Sequence, residues 1–324
     1  MTKTAASDNF TADNANRGDP LAILVDENSR VLVQGITGKT GRFHAGRMLS
    51  YGTRVVAGTS PGKGGLEVEG VPVFDTAAEA VEATGADVSV LFLPARFVLD
   101  SAVEACRAGL KLVVVVPEHI PVHDMLRLRE ESEKTGTRVL GGNTAGVISP
   151  GRCNVGIIPP LAFERGRVGS LSRSGSITYY VADTLTRSGY GETTCVGMGG
   201  DPVLGSTYND LLPLFDADDE TDAVVLCGEI GGIYEELAAP AVVRMKKPVV
   251  AMVGGVFAPP GKRMGHAGAI IEGRMGTASS KLEALEGAGA RIAETFTDIP
   301  RILGELGIKP VNEPHVIEGG RVGG

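Results

Sequence analysis

The sequence predicts an α/β fold: two successive domains, each a doubly wound parallel sheet. Three observations predict it. Short apolar runs rich in β-branched residues recur along the chain, amphipathic stretches separate them, and the alternation pauses and restarts around residues 141–166. Strands buried on both faces read as continuous apolar runs, because helices cover such a sheet above and below.

The strands of the first half are VLVQ (31–34), RVVAG (54–58), VSVLFL (88–93), LVVVV (112–116) and RVL (138–140). TAAEAVEATG (76–85) and FVLDSAVEACRAG (97–109) carry the helical period between them. The Gly- and Pro-rich stretch 141–166 has no clear period and marks a break. The rhythm then resumes with RVGSLS (167–172), TTCVGMGG (193–200), DAVVLCGEIGG (222–232), PVVAMVGG (248–255) and ARIAET (290–295). Boundaries are expected at a flexible N-terminal tail (1–20), a first domain (21–150), a second domain (151–309) and a loose C-terminal tail (310–324).

Composition excludes several function classes. A chain of 324 residues with a net charge of −8 lacks the basic stripe that nucleic acid requires. No apolar run approaches the roughly 18 residues of a membrane span, and the first twenty residues resemble neither a secretory signal nor an Arg-rich transit peptide. A soluble, cytoplasmic protein is expected. Cys106, Cys153, Cys195 and Cys227 are far apart without a C-x-x-C pair, so they are expected as buried, reduced thiols and not as a metal site. Glycine is the anomaly: 46 of 324 residues, about twice the usual share. The glycines cluster after apolar runs, where a backbone turns tightly or approaches a ligand.

In the first half, VLVQGITGKTGRFHA runs from strand through a Gly-rich turn into a helix. Gly35, Gly38 and Gly41 fit a phosphate cradled at a helix N-terminus, or a tight turn with no ligand. An NAD site wants a carboxylate at the end of the next strand. TSPGKGG places Lys63 there instead, which suits the extra ribose phosphate of NADP or coenzyme A, against the plain alternative of a solvated lysine. At the fourth strand end Glu118 can meet an adenine or ribose, whereas His119 is expected to cap or pack.

In the second half, Ser172, Arg173, Ser174, Gly175 and Ser176 lead from strand to helix, as an anion cradle or as simple capping. Glu229 ends a strand before two glycines, where it either fixes one nitrogen of an imidazole or caps a turn. GKRMGHAGAII sets His266 among Gly and Ala, unlike the packed face expected of a structural histidine. With no second His or Cys nearby for a metal, a neutral imidazole that takes up a phosphoryl group and hands it on is the remaining reading.

These motifs, with VISPG and TCVGMGGDPVLGS, closely resemble the α subunit of succinyl-CoA synthetase (succinate–CoA ligase) over roughly residues 21 to 305. The resemblance implies a Rossmann-type CoA-binding domain followed by a flavodoxin-like domain that carries a phosphohistidine. It places the phosphorylated histidine on His266 and its orienting carboxylate on Glu229. It places CoA contacts on Thr37, Gly38, Lys39, Thr40, Lys63, Val116, Pro117 and Glu118, and the organic-acid contact on Tyr179. Ser174, Gly175 and Ser176 become the phosphate-binding helix N-terminus, and no metal ligand is implied in this chain. The implied partner is an ATP-grasp β subunit that holds ATP or GTP with Mg²⁺.

His119, Gly142 and Tyr180 depart from what many members carry, and Lys39-Thr40 lean towards malate–CoA ligases. Succinate is therefore the leading acid and malate or another dicarboxylate the alternative. An NADP-dependent oxidoreductase and a non-catalytic CoA-binding paralogue are the remaining alternatives.

Overall fold

The computed structural model describes residues 23–255 and 276–314. His266, the N-terminal stretch through residue 22 and residues 315–324 lie outside the described residues.

Each apolar run contributes a strand to one of two sheets. The first sheet contains β1 (Arg30–Gln34), β2 (Arg54–Thr59), β3 (Glu67–Val68), β4 (Val71–Phe74), β5 (Val88–Leu91), β6 (Leu112–Val115) and β7 (Arg138–Gly141). Its order is β3-β4-β2-β1-β5-β6-β7, parallel throughout except for the antiparallel β3–β4 pair. Counting only the parallel strands, that is the doubly wound order 3-2-1-4-5-6, with its switch between β1 and β5. Helices α1 (Lys39–Tyr51), α2 (Ala77–Thr84), α3 (Val98–Arg107) and α4 (Val122–Thr135) make the crossovers. α2 shows how local chemistry sets the ends: the Thr76 side chain accepts the Glu79 amide, and Gly85 closes the helix at φ 64°.

The second sheet has the order β14-β13-β12-β10-β11-β8-β9. Its members are β8 (Gly146–Ser149), β9 (Cys153–Gly156), β10 (Arg165–Ser172), β11 (Glu192–Gly197), β12 (Ala223–Glu229), β13 (Val249–Gly254) and β14 (Arg291–Ile292). The parallel strands alone read 5-4-3-1-2, the flavodoxin-like order, and the switch lies between β10 and β12. The helices are α5 (Gly175–Arg187), α6 (Tyr208–Ala217), α7 (Tyr234–Arg244), α8 (Ala278–Gly287) and α9 (Asp298–Glu305). Phe215 of α6 packs against β10: a Cβ on Gly169 would be 2.2 Å from its ring, so only glycine admits that approach.

Three expectations are corrected. β3, β4, β8 and β9 were not anticipated, being short or interrupted by Gly and Pro. The division expected at 150/151 falls inside the β8–β9 hairpin, which pairs with β11. The chain changes sheets between Gly141 and Gly146 instead. The tail expected from 310 begins later, because the amides of Val311 and Asn312 both donate to the Gly189 carbonyl at 2.9 Å. All four thiols are buried and free.

β11 also buries an acid. Glu192 is fully enclosed, accepts the Ser170 hydroxyl at 2.5 Å, and is pushed up to about 8 by burial. A carboxyl raised in the fold stabilises it fully below the unfolded value of 4.5 and loses that contribution as pH climbs through about 8. Glu192→Gln should therefore be more stable than the parent at pH 9, by on the order of a few kcal/mol, and nearly equal to it at pH 4.5. Urea midpoints measured across that range check this.

Candidate functional site

The first candidate pocket forms where β1 turns into α1. α1 starts at Lys39 behind Gly38, which has no side chain to cap it, so the first-turn amides remain open to an anion. The turn is tight: a Cβ on Gly41 would be 2.2 Å from the Gly35 carbonyl oxygen. The Thr37 hydroxyl lies 2.8 Å from the Ser60 hydroxyl and accepts from Lys63 Nζ at 3.1 Å. The Asp75 carboxylate holds the Lys63 loop by accepting the amides of Lys63 and Gly64 at 2.9 and 2.8 Å. A cleft of about 690 Å³ opens beside this triad, lined by Thr37, Lys39, Arg42, Phe43, Gly46 and Glu69. Gly38, Lys39, Thr40 and Lys63 are exposed. Three cations and a free helix N-terminus suit a multiply phosphorylated ligand.

Val116, Pro117 and Glu118 follow β6, two strands from β1, about 10 Å away by strand spacing. Thr37 and Lys63 are thus brought into contact, while Val116–Glu118 stand apart along the same carboxyl edge. His119 neither caps nor packs. Its side chain is 64% exposed, its φ is 60°, and Pro121 precedes α4 in the cap position.

The second candidate site lies at the switch of the second sheet. The Ser174 side chain caps α5 by accepting the Ile177 amide at 3.5 Å, and Ser172 Oγ donates to the Ser174 carbonyl at 2.9 Å. Helix geometry leaves the Gly175 and Ser176 amides without intrahelical acceptors. Capping and an anion cradle are therefore compatible here. Tyr179 sits one turn on, half-buried, and burial raises its phenol.

Glu229, at the end of β12, is not a solvated cap. It is 6% exposed and its Oε1 lies 3.3 Å from Arg173 Nη2. Arg173, which the sequence set among the residues of the candidate anion cradle, is instead 2% exposed beneath this site. Its Nη1 donates to the Gly231 carbonyl at 3.1 Å and lies 3.7 Å from Glu235 Oε1. Glu235 accepts the Glu229 amide at 3.1 Å and the ammonium of fully buried Lys281. Lys281 also donates to the Gly231 carbonyl at 2.9 Å. Burial by itself would lower the Arg173 pKa, but Glu235 and Glu229 offset it and leave the value raised. A charge-alternating chain, Glu229–Arg173–Glu235–Lys281, thus anchors the strand end.

The segment that carries His266 starts and finishes at this turn. β13 ends at Gly254, in register with Glu229. Where the described chain resumes, the Gly276 carbonyl accepts the Gly231 amide at 2.8 Å. Among the described residues no cluster of three His, Cys, Asp or Glu side chains could hold a metal, and no helix is long and apolar enough to cross a membrane.

Comparison with known proteins defines the class first. A CoA binding domain model matches residues 26–119, and a CoA-ligase model matches residues 171–291. The chain is 55% identical over 279 residues to a succinate–CoA ligase [ADP-forming] subunit alpha 1 of Archaeoglobus fulgidus, covering 86% of this chain and 96% of that one. It is 52% identical to the corresponding alpha subunit of Aquifex aeolicus (88% and 95% covered) and 51% to that of Staphylococcus aureus (86% and 93%). The chain belongs to the family of succinate–CoA ligase alpha subunits. Among solved structures it is similar to ATP citrate lyase from Methanothrix soehngenii, solved with citrate and coenzyme A, at TM-score 0.80 and 25% identity over 90% of this chain. It spans about half of that protein (53%).

Truncating Lys281 to Met should cost about 3–5 kcal/mol, because Glu235 is left charged and buried. The pair Lys281→Met with Glu235→Gln should recover most of that loss. Thermal unfolding of the three variants reads the coupling.

Proposed function

We propose that this chain is the CoA-binding, phosphohistidine-bearing subunit of an ADP-forming succinate–CoA ligase. The observation that carries the reading is the seat of Glu229, at the switch of the second sheet and on the turn that meets both described ends of the His266 segment, Gly254 in register with Glu229 and Gly276 bonded to Gly231. Membership in a family whose members named above are ADP-forming succinate–CoA ligases supports the same reaction. An ATP-grasp β subunit is the proposed partner, holding the nucleotide and its Mg²⁺; the cytoplasm is the proposed compartment.

In the proposed cycle a ring nitrogen of His266 attacks the terminal phosphorus of the nucleotide, and ADP (or GDP) leaves. Glu229 accepts a hydrogen bond from the other ring nitrogen and stabilises the positive charge that the imidazole gains. The first-turn amides of α5, at Ser174, Gly175 and Ser176, draw the phosphoryl oxygens by the helix dipole. A succinate carboxylate oxygen, with the acid steered by Tyr179, then attacks phosphorus and frees the imidazole, giving an acyl phosphate. The CoA sulfur attacks the acyl carbon, the C–O bond breaks, and inorganic phosphate leaves with the thiol proton. Thr37, Gly38, Lys39, Thr40 and Lys63, with Val116, Pro117 and Glu118, hold CoA for that step.

Co-expressed with its β partner and given γ-labelled ATP and Mg²⁺, the chain should take up acid-labile, base-stable label that CoA plus succinate discharge. His266→Ala should abolish the label, and equal labelling would end the reading. Glu229→Gln should slow uptake roughly 10²-fold. Lys63→Ala should raise the KM for CoA roughly tenfold and leave labelling at the parental rate.

A further inference from the structure

The second domain reaches back to the first through a carboxylate of the TCVGMGGDPVLGS motif to which the sequence assigned no role. Asp201, on the loop after β11, is 1% exposed, and its Oδ2 accepts the Ile120 amide at 3.4 Å. A Cβ on Gly142 would lie 3.1 Å from the same oxygen. The His119 amide and the Asn143 side chain also favour the charged carboxylate, although burial outweighs them and raises its pKa. Its Oδ1 is buried without a hydrogen-bond partner among the described residues.

Three segments therefore converge on one side chain: 117–120 after β6, the crossover 141–145, and the loop after β11. Backbone bonds complete the weave. The Asn143 amide donates to the Pro117 carbonyl at 2.7 Å, the Gly200 amide to the Asn143 carbonyl at 3.1 Å, and the Gly141 amide to the Met198 carbonyl at 3.1 Å. Four described non-glycine residues have positive φ, and two of them, His119 at 60° and Asn143 at 61°, meet here. L-residues stay in that conformation only where their surroundings over-determine it.

We propose that Asp201 is a positioning residue for coenzyme A: from the second domain it holds the Val116–Glu118 loop in the shape that receives the ligand. The inference rests on the assignment of Val116, Pro117 and Glu118 to CoA. A loop released from this tether samples other shapes, and the apparent affinity for CoA falls by the fraction still competent. Transfer of phosphorus from nucleotide to His266 does not involve the loop and is untouched.

The test uses the complex with its β partner and compares Asp201→Ala, Asp201→Asn and Lys63→Ala. Asp201→Ala should raise the KM for CoA about tenfold, with kcat within about twofold and parental labelling of the chain from γ-labelled ATP. Asp201→Asn keeps an acceptor for the Ile120 amide but loses the charge, so its KM should lie between, about threefold up. An unchanged KM in the Ala variant, or a parallel fall in kcat and labelling, overturns the proposal. If the Ala variant does not assemble, a parental KM in the Asn variant does so. If Lys63→Ala alone raises the KM, Asp201 is wrong and the CoA assignment survives. If Lys63→Ala changes nothing, the CoA assignment itself has failed.

Discussion

A guanidinium buried to 2% exposure governs the second domain. Arg173 cannot be left there without carboxylates, since an uncompensated charge in such a place costs several kcal/mol. Glu229 and Glu235 supply them, and Lys281 balances Glu235 in turn. The three elements that contribute, the end of β10, the turn after β12 into α7, and α8, are thereby held in one arrangement. The turn that results is also where both described flanks of the His266 segment sit. A carboxylate meant to steer an imidazole through a change of charge gains from this: its position is set by partners that do not take part in the reaction.

The two domains use one device twice. In each, the sheet reverses its winding direction and opens a crevice at the carboxyl ends of two strands, with a helix N-terminus pointing into it. In the first domain Gly38 leaves that N-terminus uncapped beside Lys63, Lys39 and Arg42, which suits a large anion held mainly by charge. In the second, Ser174 caps the helix while the Gly175 and Ser176 amides remain free of intrahelical bonds, which suits a smaller group. Asp201 and Asn143 stitch the two edges together.

Legibility followed range. The runs 31–34, 54–58, 88–93 and 112–116 were readable because burial on both faces leaves a local, continuous apolar signature. The β3–β4 and β8–β9 pairs were not, since strands of two to four residues broken by Gly and Pro look like loops until a neighbour supplies their hydrogen bonds. The domain change was set five or more residues late for the same reason: Gly146–Ser149 is a strand only because β9 and β11 lie beside it. Lys63 was singled out from its glycine-flanked place after a strand and Thr37 only through the family resemblance, yet Ser60, which joins Thr37 at 2.8 Å, went unremarked inside the same motif as Lys63.

By itself the chain determined the rhythm of both sheets, the Gly-rich turns at their carboxyl ends, and the residues of the first-domain turn, because each depends on neighbours within a few positions. Only the tertiary structure decided what faces what. Arg173 meets residues 56 and 62 positions away, Lys281 meets one 46 away, and Asp201 one 81 away. Such pairings have no period or spacing to betray them. They exist because a charge taken out of water must find its counterpart in space, wherever along the chain that counterpart happens to lie.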